Sequence, residues 1–331
     1  MQKKLKILAC AVLALGIAGA AHAKDTLRVT LQIPAKHILG QNVLAFKKIV
    51  EERSAGELQL EIYDSAQLYK GTEVPQAVSS GAIDMGIVEL GVYTGTIPAA
   101  GAFSVPFLFP SEAAIAKATA PDSAVRQAID GAILKTGARV MWWQAYGLVQ
   151  MLSKKAPVKL PTDLKGKKVR VISKPIGEFV ADQGGAPIVI DGAEQLIAYQ
   201  RGTVDIGMSG TTATQSRHMY DVMDYITMTN HSDVEFLVLI NDKRFQKLKP
   251  EQQALLQEAA RTVETELRKN TEKLNADAKE FLRTKTKMQV VDLTPAEAKA
   301  WHDAAQPTIK RFAEQNGPLA KQVVDAALQA H

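Results

Sequence analysis

Leu27, Val29 and Leu31 alternate with polar neighbours, and this period of two predicts a strand from Thr26 to Gln32 with one apolar face. The spacing then changes to that of a helix face, with Leu39, Val43, Phe46 and Val50 apolar and Gly56 in the C-terminal cap role. Leu58, Leu60 and Ile62 alternate again as a strand, Thr72 to Ser80 is a short helix stopped by Gly81, and Ile83 to Glu89 is another strand. Strands that alternate with helices in this way predict a mainly parallel sheet covered by helices, an α/β architecture.

The Pro-containing stretch from Ile97 to Pro110 interrupts the rhythm, and helices at Ser111 to Thr119 and Ser123 to Thr136 lead into an apolar strand from Ala138 to Tyr146. A second α/β set follows, with strands at Lys167 to Ile172, Ala186 to Ile190 and Val204 to Met208 and helices at Ile176 to Gln183 and Ala193 to Gln200. Pro250 opens a helical pattern that continues to about Arg283, and at 1.5 Å per residue such a helix extends on the order of 50 Å, enough to cross two lobes. Thr294-Pro295-Ala296-Glu297 is a capping box with proline at the first helical position.

One hexamer occurs twice. Gly81-Ala82-Ile83-Asp84-Met85-Gly86 and Gly202-Thr203-Val204-Asp205-Ile206-Gly207 share the pattern G-x-[IV]-D-[MI]-G, each after a helix and each opening a strand. The echo predicts two similar lobes, each sending one strand of matching role toward a shared cleft. Ligands of open α/β sheets bind beyond the carboxyl ends of the strands, which places Glu89 and the Ser209 to Thr212 segment at that cleft.

The N-terminus adds a compartment. Lys3, Lys4 and Lys6 precede an apolar run from Ile7 to Ala20 that ends in Ala21-His22-Ala23, which predicts a secretory signal peptide over residues 1–23, cleavage after Ala23 and a periplasmic product. The leader carries the single cysteine, Cys10, so the mature chain can form neither an intramolecular disulfide nor a thiolate metal site. It also carries three of the 40 basic residues, which removes most of the net charge of +5 and with it any nucleic-acid footprint. The mature chain exceeds what one core usually fills, and two lobes of roughly 150 residues each are expected.

Leu160 to Val171 reads Leu-Pro-Thr-Asp-Leu-Lys-Gly-Lys-Lys-Val-Arg-Val. The segment resembles the D-L-K-G-x-K-[IV]-R signature of the substrate-binding proteins of tripartite ATP-independent periplasmic (TRAP) transporters, the DctP family. Ser65-Ala66-Gln67-Leu68 and Val105-Pro106-Phe107 resemble further segments of that family in the same order. The resemblance implies a two-lobed, type II-like solute-binding fold with a long lobe-crossing helix, lobe I at 24–146 plus 234–275 and lobe II at 147–233 plus 276–331. It implies a monomer without cofactor or catalysis that closes on a small organic carboxylate and hands it to integral-membrane TRAP permease subunits driven by an ion gradient. An ATP-driven importer or a sensor kinase is the alternative destination for the same fold.

In the family the arginine of the signature, here Arg170, pairs with the ligand carboxylate, a role suited to a permanently charged fork that donates two parallel hydrogen bonds. Gln32 and Glu89 occupy positions of first-lobe ligand contacts, Ser209 that of a polar contact, and His37 that of a helix start, all by resemblance. Alternation puts Trp142 and Trp143 on opposite faces of the strand leading to the lobe crossover, one in the core and Trp143 toward the cleft, and Trp143, Tyr146 and Gln150 just beyond complete the candidate set. Several sialic-acid-binding members carry a second cation after the crossover glycine, whereas Gly147 is followed by Leu148, Val149 and Gln150. The expectation is therefore one anchor and a monocarboxylate ligand, with Trp143, Tyr146, Leu148 and Met208 supplying apolar surface, unless Lys174 or Arg217 replaces the missing partner.

A secreted enzyme acting on organic acids is the rival from another class. The chain has no G-x-S-x-G, H-E-x-x-H, G-x-G-x-x-G or P-loop, and His37, His218, His231, His302 and His331 show no metal-ligand spacing.

Overall fold

The computed structural model describes residues 25–109 and 112–328, so the signal peptide expected over residues 1–23 lies outside the described residues. The strands are β1 (Asp25–Thr30), β2 (Leu58–Tyr63), β3 (Met85–Glu89), β4 (Ala138–Leu148), β5 (Gln150–Ser153), β6 (Lys168–Val171), β7 (Ala186–Val189), β8 (Ile206–Ser209), β9 (Tyr225–Met228), β10 (Asp233–Asn241) and β11 (Gln289–Asp292). They form two sheets, ordered β2-β1-β3-β10-β4 and β11-β9-β5-β8-β6-β7. Each sheet is the base of one lobe.

The two sheets are mixed rather than mainly parallel. β2, β1 and β3 run parallel, as do β8, β6 and β7, but β10 is antiparallel to β3 and β4, and β5 is antiparallel to β8 and β9. The antiparallel members are the strands that pass between lobes. β4 ends in the first sheet and, after Val149 alone, the chain enters β5 of the second; β9 lies in the second sheet and β10 in the first. At the crossing the amide of Val149 donates to Ser232 (3.0 Å) and that of His231 to Val149 (3.3 Å), so the two connections are themselves paired.

Gly147 allows β4 to turn there. Its φ of +96° lies where L side chains are strained, and an added Cβ would sit 2.5 Å from Nδ2 of Asn275 on the long helix.

The helix Ile38–Arg53 buries Leu39, Val43, Phe46 and Val50, the residues whose spacing predicted it. The helix Pro250–Lys285 has 36 residues and serves both lobes. Leu256, Val263 and Leu267 join the larger apolar core, while Leu282 packs in a smaller one with Leu152, Tyr199 and Ile226 of the second lobe. Two ion pairs fix the helix to the first lobe. Arg268 donates twice to Glu235 of β10 at 2.9 Å, and Arg126 forks onto Glu264. Beyond β11, Thr294 and Glu297 form the reciprocal capping box that opens the helix Pro295–Gln315. Among the described residues no helix is long and apolar enough to cross a membrane.

Candidate functional site

A cavity lies between the two sheets. The first lobe contributes Gln32 just past β1, Glu89 at the end of β3, Tyr146 of β4 and Phe236 of β10, and the second contributes Arg170 of β6 and Ser209 at the end of β8. The repeated hexamer explains how two of these arrive. Gly81 and Gly202 each end a helix in the left-handed conformation, with φ +79° and +66°. Asp84 then accepts from the amide of Arg28 on β1, and Asp205 from that of Lys168 on β6, both at 2.9 Å. Each aspartate ties the start of its strand to a parallel neighbour, and the strands β3 and β8 deliver Glu89 and Ser209 to the same cavity.

Arg170 is buried, 4 % exposed, although it is an arginine on a four-residue strand. Its Nε donates to the carbonyl of Ile190 and its Nη1 to that of Met208, each at 3.0 Å. These bonds aim the plane of the guanidinium without neutralising it, and among the described residues no carboxylate pairs with it. Desolvation pulls its pKa down from the ordinary value, yet a guanidinium stays charged. A buried, oriented and unpaired cation at a cavity wall has the chemistry to receive an anion.

Glu89 faces it across the cavity. Oε1 accepts from the Gly91 amide at 2.8 Å and Oε2 is buried without a partner. Burial raises its pKa to about 7, against the opposing pull of the Gly91 amide and the Arg170 charge, so near neutral pH the carboxyl can hold a proton and donate it to a ligand oxygen. Tyr146 is an amphipathic wall: its hydroxyl accepts from the Gly210 amide at 2.9 Å and lies 3.3 Å from Ser209 Oγ, while its ring packs on Phe236.

Three expected residues lie elsewhere. Trp143 points away from the cleft: its Nε1 donates to Asp130 at 2.9 Å and its ring meets Phe103 edge-on at 5.6 Å. Trp142 does occupy the opposite face of β4, as alternation requires, but helices cover both faces and both indoles are fully buried. Gln150 braces the crossing, with Nε2 donating to Asn230 Oδ1 at 2.7 Å and Oε1 accepting from the Asn230 amide at 3.0 Å. His37 stands behind Tyr146, stacked on it at 5.8 Å, and its Nδ1 caps the helix by accepting from Leu39 at 3.2 Å. Burial, and then the charge of Arg217, lower its pKa to about 3, so the ring is neutral. Leu148 lines a separate pocket beside Phe107, whereas Met208 does line the cavity.

The cavity also holds residues beyond the candidate set, among them Arg217, which the sequence offered only as a substitute cation. Arg217, at the end of the helix Thr211–Ser216, supplies a second guanidinium, and Asp191 and Gln195 complete that wall. No periodic pattern marks Arg217, which follows the last turn of a six-residue helix. At the cleft mouth the lobes touch: Lys70 Nζ reaches Glu194 at 2.7 Å, the Thr72 amide donates to Asp191 at 3.2 Å, and Lys36 Nζ lies 3.2 Å from His218 Nε2.

The family of bacterial extracellular solute-binding proteins numbered 7, DctP, matches residues 30–316. The chain belongs to that family. It is 29 % identical over 232 residues to the 2,3-diketo-L-gulonate-binding periplasmic protein of Escherichia coli (strain K12), an alignment that covers 70 % of this chain and 69 % of the relative. Its fold superposes on a TRAP periplasmic solute-binding protein of Shewanella oneidensis with bound succinate, with a TM-score of 0.87, 24 % identity and coverage of 93 % of this chain and 99 % of the other. An extracytoplasmic solute receptor of Bordetella pertussis that binds pyroglutamic acid gives a TM-score of 0.86 at 22 % identity, covering 92 % and 99 %. These relatives are binding proteins rather than enzymes. The chain shares the fold of these solved structures, and it is an extracellular solute-binding protein of the DctP family.

Proposed function

We propose that this protein captures a small organic carboxylate in the cavity between its lobes, with Arg170 as the anchor, and delivers it to an integral-membrane TRAP permease driven by an ion gradient. Export by the leader over residues 1–23 supplies the periplasmic location, and the receptor acts as a monomer. The observation that carries the reading is the Arg170 guanidinium, buried, held by two backbone carbonyls and left without a carboxylate at the wall of the cavity. The bound acids of the relatives, succinate and pyroglutamic acid, each carry the group such a guanidinium recognises. Glu89, Gln32, Ser209 and Tyr146 surround the remainder of the ligand.

Titration calorimetry tests the anchor. A thermal-shift screen of organic acids finds the ligand, and Arg170→Ala should then weaken it by about 3 kcal/mol, since a desolvated carboxylate loses its partner. Arg170→Lys should recover little, because an ammonium cannot supply the parallel pair of donors. Wild-type affinity in the alanine variant would remove Arg170 from the site. Uptake in vesicles carrying the permease subunits, with an ion gradient and no ATP, tests delivery.

A further inference from the structure

Arg217 has no partner that accounts for its position. Its Nη1 donates to the Gly192 carbonyl, its Nε is buried without any hydrogen bond, and among the described residues no carboxylate forms a salt bridge with it. Asp191, the acid of the same wall, has Oδ1 engaged by Ala193 and Oδ2 by Thr72. Arg217 also stands at a neck, lining the inner cavity and an adjoining outer pocket with Lys36 and His218. The wall therefore concentrates two desolvated guanidiniums, Arg170 and Arg217, whose charges oppose each other. Such a pair calls for acceptor oxygens on the ligand.

We propose that Arg217 is the second oxygen-gripping residue of the cleft, reaching in from a helix end to supply the cation that Val149 does not. The inference rests on the proposed reading of Arg170 and deepens it. The solute then carries two acceptor groups, a carboxylate on Arg170 and a second oxygen group on Arg217, which takes up the exception left open in the sequence, where Arg217 replaces the missing cation, in place of the single anchor.

Three matched four-carbon acids test this by calorimetry: succinate with a carboxylate as its second group, 4-hydroxybutanoate with a hydroxyl as its second group, and butanoate with neither. Wild-type protein should bind succinate or 4-hydroxybutanoate at least tenfold more tightly than butanoate, and which of the two leads identifies the second group. Arg217→Gln should bring the preferred acid to within threefold of butanoate while butanoate itself changes little. Arg217→Lys should restore part of the preference if the second group is the carboxylate. A role limited to bracing the Gly192 turn would instead weaken all three acids by one factor. That result, or a wild type that binds all three alike, would overturn the proposal. Arg170→Gln separates the two readings: if it loses all three acids while Arg217→Gln loses none, the anchor stands and the second grip falls. Failure of all three to shift the melting temperature counts against both.

Discussion

Glu89 is a carboxyl whose protonation the fold has moved into the physiological range. Its folded pKa of about 7 lies above the ordinary 4.5, so between those values the folded state binds a proton that the unfolded state has released. Stability should therefore fall as pH rises through this window, by about 3 kcal/mol once the buried carboxyl is ionised. His37 and His231, both lowered to about 3 by burial, act in the opposite sense, because below pH 6.5 the unfolded chain takes up protons that they refuse. The difference between wild type and Glu89→Gln isolates the carboxyl. Urea unfolding of the ligand-free proteins from pH 4.5 to 8 should show the glutamine variant gaining on wild type up to about pH 7 and levelling beyond it; a constant difference would refute the assignment.

At this scale the sequence was partly legible. Arg170 sits in a motif specific enough to override the usual reading of an arginine among lysines, and the repeated hexamer announced Glu89 and Ser209. Trp143 was misplaced because alternation assigns a side chain to a face of the strand and says nothing of what covers that face. Gln150 was misplaced because its partner, Asn230, is 80 residues away.

Among the elements, the long helix was the most legible, since its cap, its length and its uninterrupted pattern are all local properties. The strand directions were less so. Antiparallel insertion in both sheets follows from strands that leave one lobe for the other, a tertiary fact with no signature in periodicity. How the long helix is held was also hidden, because no local pattern marks Glu235, whose partner lies 33 residues away. It is fully buried and meets Arg268 by two bonds of 2.9 Å. Glu235→Ala should destabilise the protein by about 2–3 kcal/mol, at or below the usual loss for a broken buried pair because Arg268 keeps some contact with water. Replacing both, as Glu235→Leu with Arg268→Met, should regain most of that loss. Thermal unfolding of the three variants checks the pair, and an alanine variant as stable as wild type would show that it contributes nothing.

For the whole molecule, the contacts at the cleft mouth bear on how long a solute stays. Lys70 with Glu194, the Thr72 amide with Asp191, and Lys36 with His218 join the lobes outside the cavity, so a solute within leaves when these contacts part. Lys70 and Glu194 are each half exposed, and a pair of that kind contributes up to about 1 kcal/mol. Lys70→Ala should then quicken release by up to about fivefold with the cavity untouched, and added salt should quicken wild-type release but not that of the variant. Stopped-flow displacement measures both, and identical rates in the two proteins at low and high salt would exclude the pair. The expected outcome is that residence is set at the surface while recognition is set inside. A receptor with this division can lengthen or shorten the wait before unloading by changing a surface lysine, and keep its choice of cargo.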